Sequence, residues 1–370
     1  MLQKLIAFFK RETVLCIAAV LAVASMFLVP PDAGYLDYID LRTLGLLWAL
    51  MLVMAGLQRL GIFDRMGRAL LQRVHSTRQL ALTLVLLPFF TSMLITNDVA
   101  LLTFVPFAME VLALCGQARL LIPVLLLQTL AANLGSMLTP LGNPQNLFLY
   151  AASGMALGDF LLLMLPYALL SLVMVVVGCC LPKREALALP PSEAQPPLPK
   201  RELFSYALLF LCCLAAVADI MPWYIALLLV LLRMLLADRK VLPLANYALL
   251  LTFIAFFVLI GNLGRIPAVR ELIAALLDGR EVLVSVVCSQ FMSNVPAAIL
   301  LAGFSEAWES LLVGVNIGGL GTIIASMASL ITYQLLSARH PDLKGRYFKW
   351  FTLINVLCLI PLGILAWLLS

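Results

Sequence analysis

Long apolar runs dominate this chain, and their lengths predict its elements. Runs able to cross about 30 Å of hydrocarbon as helices predict full spans near 12–30, 42–61, 159–181, 204–221, 223–238, 245–262 and 349–369. Two longer apolar segments, 119–152 and 307–337, contain Gly, Pro, Thr, Asn and Ser, and are predicted to be broken helices. The expected fold is an all-α polytopic membrane protein with about nine spans.

A polar triplet interrupts the apolar pattern once in each half of the chain. Thr96-Asn97-Asp98 lies within 79–115, and Ser293-Asn294-Val295 lies within 281–304. The arms of the second segment would rise only about 15 Å as helices. They predict a re-entrant hairpin that enters and leaves on one side of the membrane. The first-half arms are longer, about 15–17 residues, so two true crossings stay open there, although symmetry favours a hairpin.

Two amphipathic stretches and a proline-rich linker complete the predicted plan. Residues 63–77 and 267–278 place apolar side chains on one helical face, which predicts helices lying in the membrane interface. Residues 181–203 contain six prolines with charges at both ends, which predicts an extended cytoplasmic connection. This linker separates a first half, 1–180, from a second half, 204–370.

The two halves also share a short internal similarity. Residues 133–148 align without a gap against 316–331, pairing Asn133 with Asn316. An odd number of predicted crossings separates corresponding spans, so the two halves are predicted to be inverted-topology repeats. Inverted repeats with discontinuous helices are typical of secondary transporters that bind their substrate near the bilayer midplane.

Composition and charge give the orientation and exclude other classes. The chain is 64% hydrophobic and only 12% charged, with a mean hydropathy of +1.08, whereas soluble domains carry about 25% charged residues. An N-in, C-out arrangement puts 20 of the 24 Lys and Arg residues on the cytoplasmic side, as the positive-inside rule requires. The net charge of +5 then reflects topology, and no nucleic-acid partner is expected. Neither a cleavable signal peptide nor a disulfide framework is predicted.

The triplets and broken segments carry the candidate chemistry. A hairpin tip that meets a helix break offers backbone carbonyls and Asn, Ser and Thr oxygens to a cation, and NH groups to an anion. The candidate substrate- or ion-binding residues are Thr96, Asn97, Asp98, Thr139, Asn143, Ser293, Asn294, Thr322 and Ser326. The same residue types are good helix N-caps, and capping is compatible with binding. An acid inside a membrane is a functional candidate by default, so Asp98 is expected to pair with a cation or to bind a proton.

Four segments resemble the ion transporter superfamily, which includes arsenite permeases, sodium/proton antiporters, metal-citrate carriers and divalent anion/sodium symporters. They are ITNDVALLTFVPF, ANLGSMLTPLGNPQNLF, MSNVPAAIL and GVNIGGLGTIIASMAS, and they are most similar to the arsenite permease and metal-citrate side. The resemblance implies a scaffold, an elevator-like transport domain and a possible homodimer. It also implies two sodium sites, one at Thr96, Asn97 and Gly142 and the other at Ser293, Asn294 and Ala325. The symporter branch has Ser-Asn-Thr at both tips, and Asp98 and Val295 depart from that pattern.

The resulting hypothesis is a secondary active transporter in a bacterial inner membrane that moves a small anion or oxyanion-like solute. Alternating access would be coupled to protons or sodium, with no cofactor and no structural metal. A sodium/proton antiporter is the alternative, and Asp98 favours it. An enzyme is not expected, because the chain has no HExxH motif and Ala156 stands where a GxGD aspartyl site needs Gly. A channel would not need two broken halves.

Overall fold

A computed structural model describes residues 12–72, 74–187 and 197–369. Outside these ranges lie residues 1–11, which include most of the segment used for the signal-peptide prediction, Arg73, the linker residues 188–196 and Ser370. No β-strand occurs within them. Their α-helices are α1 (Thr13–Met26), α2 (Leu41–Arg59), α3 (Ile62–Leu71), α4 (Thr77–Thr91), α5 (Asn97–Leu114), α6 (Leu121–Ser136), α7 (Pro144–Ser153), α8 (Leu157–Cys180), α9 (Lys200–Val217), α10 (Trp223–Ala237), α11 (Tyr247–Gly264), α12 (Pro267–Leu277), α13 (Glu281–Met292), α14 (Asn294–Ala302), α15 (Trp308–Ile317), α16 (Met327–Arg339) and α17 (Lys344–Leu369).

Six helical segments of the described chain are long and apolar enough to cross a membrane. They are α2, α5, α8, α11, α6 with the turn before it, and α17 with the turn before it. Four further apolar helices, α1, α4, α10 and α13, are shorter. This architecture confirms a polytopic helical membrane protein, while the count of nine spans stays a prediction that relies on shorter helices.

Three predicted boundaries differ from the structure. The first interfacial helix, predicted over 63–77, ends at Leu71, because Ser76 caps the next helix by accepting a hydrogen bond from the Gln79 amide. The predicted span 12–30 is helical only over Thr13–Met26, since Pro30 and Pro31 follow. The linker 181–203 ends early, because α9 begins at Lys200, directly after Pro199.

Both polar triplets lie where one helix ends and another begins. In the second half, α13 and α14 have 12 and 9 residues, so they rise about 18 Å and 14 Å and neither reaches across the hydrocarbon. In the first half, α4 has 15 residues and α5 has 18. Of these four helices, α5 alone is long enough to cross, and both the hairpin and the two crossings stay predictions for the first segment. We call 96–98 the first tip and 293–295 the second tip.

Each of the two segments predicted to be broken contains two helices separated by non-helical residues. We call these non-helical residues the first break (137–143) and the second break (318–326). The first break separates α6 from α7, and Asn143 caps α7 by accepting from the Asn146 amide at 2.9 Å. Pro144 then occupies the first helical turn, where its missing N–H costs nothing. The second break separates α15 from α16 and contains three glycines, of which Gly321 has a φ of 107°.

The helix α6 lies at the centre of the molecule. Every one of its residues is buried except Pro123, and it packs against α4, α5, α8, α16 and α17. Corresponding pairs recur in the second half, because α15 packs against α13, α14, α7 and α17. The broken helix of each half therefore contacts the two helices on either side of the tip of its own half, and the broken helix of the other half.

A charged contact joins three outer helices away from the breaks. Arg59 at the end of α2 donates to Asp238 at 2.6 Å, and Tyr206 of α9 donates to the other carboxylate oxygen at 2.7 Å. Asp238 follows α10 directly and is 8% exposed. A buried carboxylate needs a charged partner and full hydrogen bonding, and this one has both. The contact fixes α2, α9 and α10 to one another.

Candidate functional site

Each tip forms one backbone hydrogen bond to the break of its own half. The Asn97 amide donates to the Gly142 carbonyl at 3.0 Å, and the Asn294 amide donates to the Ala325 carbonyl at 2.9 Å. The resemblance groups the same residues in two sodium sites, which stay predictions. The two contacts involve corresponding residues of the two halves, so both tips meet their breaks in the same way.

Asn133 joins the first tip to the second break. Its Oδ1 accepts from Asn97 Nδ2 at 3.0 Å and from Ser326 Oγ at 3.1 Å, while its Nδ2 donates to Ser329 Oγ at 3.1 Å. Asn133 is 7% exposed, so these bonds form away from bulk solvent. One amide side chain therefore connects α6, α5 and α16.

Asn316 makes the corresponding connection to the first break. Its Nδ2 donates to Asn146 Oδ1 at 2.6 Å, and its Oδ1 accepts from Asn143 Nδ2 at 3.2 Å. Asn143 also donates to Ser136 Oγ at 3.2 Å, and Asn146 donates to the carbonyls of Ser136, Met137 and Thr139. Both breaks are therefore held by an asparagine from the broken helix of the other half.

The first tip also faces a cavity of about 160 Å³. Its lining is mostly apolar, and α2 contributes the largest number of apolar side chains. The polar residues of the lining are Gln58, Thr96, Asp98, Asn143 and Asn246. Three predicted site residues, Thr96, Asp98 and Asn143, thus meet at one cavity, whereas Asn97 points to Asn133 instead.

Asp98 is the charged residue of this lining. Its backbone amide donates to Asn97 Oδ1 at 3.0 Å. Its carboxylate makes no hydrogen bond or ion pair with any residue that the structure describes. Among the residues that the structure describes, no Lys, Arg or His lines the cavity. An acid without a cationic partner is thus available to a bound ion or a proton.

The second tip has an unusual backbone and no acid. Ser293 has φ 75° and ψ 155°, a region populated almost only by glycine, in which another residue costs about 1–3 kcal/mol. Such strain persists only where surrounding contacts enforce it, and here the Asn294 amide is held by Ala325. Val295 is buried. The two tips therefore share a backbone contact but differ in chemistry.

Close backbone packing explains the glycine in the first break. A Cβ at Gly142 would lie 2.0 Å from the Ser136 carbonyl oxygen and 2.6 Å from its carbon. Thr139 donates its hydroxyl to the Met93 carbonyl, which joins the break to the end of α4. The first break is thus folded tightly against the helix that precedes it.

Thr322 lies apart from the other predicted site residues. It is exposed, and its hydroxyl donates to the Gln290 carbonyl at 3.1 Å while its amide donates to Gln290 Oε1 at 2.8 Å. The Nε2 of Gln290 donates to the carbonyls of Gly318 and Leu320. Thr322 and Gln290 hold the shape of the second break from outside the buried asparagine network.

Sequence reasoning missed five buried residues of this centre as site residues: Ser136, Asn146, Ser329, Asn133 and Asn316. The gapless alignment of the two breaks had paired Asn133 with Asn316 as identical residues. A polar residue that recurs at one position of a buried repeat was the available signal. It was interpreted as evidence for the repeat alone.

These features define a class: a multi-pass helical membrane protein with two broken helices whose buried polar side chains meet at the breaks. A family model described as citrate transporter, CitMHS, matches residues 2–308. The chain belongs to this family and is a membrane transporter. The membership confirms the resemblance to the ion transporter superfamily and the prediction that the chain is a transporter and not an enzyme.

Individual relatives agree with this assignment. The inner membrane protein YbiR of Escherichia coli is 32% identical over 310 residues, which cover 82% of each chain. A protein named as an uncharacterized transporter of Methanocaldococcus jannaschii is 31% identical over 327 residues, or 88% of each chain. A silicon efflux transporter of rice, Oryza sativa subsp. japonica, is 36% identical over 138 residues, 37% of this chain and 28% of the relative.

Proposed function

We propose that this protein is a secondary active transporter of a small anion or oxyanion-like solute, with alternating access coupled to protons or sodium. Two halves, 1–180 and 204–370, would form inverted repeats, and the E. coli relative named as an inner membrane protein suggests the same location. The single observation that carries the proposal is the matched pair of tip-to-break hydrogen bonds, Asn97 to Gly142 and Asn294 to Ala325. A transporter whose binding site is built from two halves needs this contact twice, once at each tip. A contact that served only to stabilise the fold would not need to recur at corresponding residues.

Charge supports coupling to a cation. Within the described chain, the cavity at the first tip has one charged side chain, Asp98, and it is acidic. An anion transferred into such a site without a compensating charge would lose its hydration and be repelled. Sodium bound at Thr96, Asn97 and Gly142, or a proton on Asp98, would supply the compensating charge. The second sodium site, at Ser293, Asn294 and Ala325, would be weaker because it has no acid.

A cation/proton antiporter is the second candidate. The absence of any basic partner for Asp98 among the described residues favours it, since an unpaired carboxylate can exchange a proton for a cation. In that case no organic or oxyanion solute would be needed for charge movement. The two candidates differ in what triggers transport.

The test is charge movement in proteoliposomes that contain the full chain. Sodium and pH jumps would be applied with and without citrate, succinate, arsenite or silicic acid, using the unaltered protein, Asp98→Asn and Glu110→Gln. Glu110 is a matched control, because it lies exposed on the same helix and outside the cavity.

Solute-dependent currents that disappear in Asp98→Asn and persist in Glu110→Gln are the expected result. Currents from sodium or pH jumps alone, with the same dependence on Asp98, would establish the antiporter instead. Solute-dependent currents that survive unchanged in Asp98→Asn would remove Asp98 from the coupling mechanism.

A further inference from the structure

A continuous groove runs along the outside of the central helix α6. Its first part has a volume of about 410 Å³ and its second part about 530 Å³. The two parts share Pro123 and Ile354. Pro123 is the one residue of α6 that is not buried. The groove is therefore a gap in the shell of helices that otherwise encloses α6.

The two ends of the groove differ in chemistry. Arg119, Arg346 and Trp350 line the first part together with apolar side chains. The second part is formed by apolar side chains of α6, α8 and α17, and no acid of the described ranges lines either part. The groove thus has a basic, aromatic mouth and an apolar interior.

Its length matches one leaflet of a bilayer. The groove extends from Arg119, in the turn before α6, to Leu134 near the end of α6. This length is about 22 Å at 1.5 Å per residue. One leaflet with its headgroups is about 20–22 Å thick. The basic mouth then lies at headgroup depth, where Arg and Trp are commonly found, and the apolar end reaches the level of Asn133.

The charge at the mouth is only partly compensated within the protein. Arg119 pairs with Glu185, while exposed Arg346 has no ion pair among the described residues. Lys349 is exposed on the same turn of α17. We propose that this groove binds an anionic phospholipid, with its phosphate at Arg346 and Arg119 and an acyl chain along α6. Basic pockets between membrane helices bind anionic headgroups in this manner, whereas a zwitterionic lipid would bring a choline cation close to the arginines together with its phosphate.

Trp350 provides a direct probe, because it lines the mouth. The full chain would carry Trp350 as its only tryptophan, with Trp48, Trp223, Trp308 and Trp367 replaced by Phe. After reconstitution in nanodiscs of phosphatidylcholine, a small fraction of brominated phosphatidylglycerol or brominated phosphatidylcholine would be added. Stronger quenching by the phosphatidylglycerol is expected, and Arg346→Gln should reduce that preference about fivefold.

Two controls make the result specific. Arg270→Gln changes an exposed arginine outside the groove and should leave the preference unchanged. Native mass spectrometry of the chain with all its tryptophans, in a mixture of both lipids, should show retained phosphatidylglycerol that Arg346→Gln loses. Equal quenching by both lipids, no quenching by either, or the same loss in Arg270→Gln would each overturn the proposal.

Discussion

The buried amide of Asn133 should stabilise the junction between the two halves, and Asn133→Ala tests this. The substitution removes the acceptor of Asn97 Nδ2 and Ser326 Oγ, and the donor to Ser329 Oγ. Side-chain hydrogen bonds in membrane proteins average about 0.6 kcal/mol, so three lost bonds account for about 2 kcal/mol. The two serine hydroxyls can rotate to other acceptors, but Asn97 Nδ2 is left buried without one. Stranding such a donor costs about 1–3 kcal/mol.

The chain contains a matched control for this substitution. Asn355 of α17 is 1% exposed, and its Nδ2 donates only to the Phe351 carbonyl of its own helix. Its Oδ1 has no partner among the described residues. Asn355→Ala therefore removes the same atoms from a buried site without breaking a contact between helices. We expect a change within about 0.5 kcal/mol for Asn355→Ala, because removing the unpartnered oxygen offsets the loss of one hydrogen bond. For Asn133→Ala we expect a loss of about 3–5 kcal/mol, the sum of the three bonds and the stranded donor.

The assay is unfolding by dodecyl sulfate in mixed micelles, with helical circular dichroism as the signal. A double variant adds a second check, since Asn97→Ala removes the donor that Asn133→Ala strands. The double variant should be more stable than the sum of the single losses predicts, by about 1 kcal/mol. If Asn133→Ala and Asn355→Ala cost the same, the junction does not depend on this amide and the reasoning is wrong.

Three further predictions follow from the geometry of single residues. Gly142→Ala should abolish transport and lower the melting temperature, because its methyl group would lie 2.0 Å from a backbone carbonyl oxygen. The control Gly158→Ala places its methyl group in open space, and it should keep transport and be neutral or slightly stabilising. Ser293→Gly should raise stability by about 1–2 kcal/mol by relieving the positive φ, and unchanged stability would show that the serine is not strained. The Arg265 guanidinium donates to Asp32 and lowers the pKa of that carboxyl below its ordinary 3.8. The contribution of this exposed pair to folding stability is therefore present above pH 3.8 and is lost as the pH falls through the lowered pKa. An NMR titration should give a higher pKa for Asp32 in Arg265→Gln than in the unaltered protein.

Local chemistry made the linear plan of the chain predictable. Length and hydropathy indicate which segments can be membrane helices. Breaks were predictable because Pro140 cannot donate a backbone hydrogen bond and the glycines around Gly318 favour non-helical backbone. The order of segments in each half predicted that tips pair with breaks, and the resemblance of four short segments supplied the individual residues. Exact ends were less accurate, as α1 and α3 show, because prolines and caps outside the periodic part decide where a helix stops.

The amino-acid sequence by itself thus determined a polytopic helical transporter with two broken helices and an acid at the first tip. Only the tertiary structure decided that Asn133 bonds to Ser326 and Ser329 of the other half. It also decided that Asn316 bonds to the first break, and that Asp98 faces a cavity lined by no basic residue of the described chain. The physical reason is that lipid is as apolar as a protein core. Leu and Val on α6 therefore do not indicate which side faces the protein, and a helix that is apolar all round carries no moment that points to its neighbours. Partners so far apart in the chain are selected by packing, which brings the few buried amides and hydroxyls together because each needs a hydrogen-bond partner.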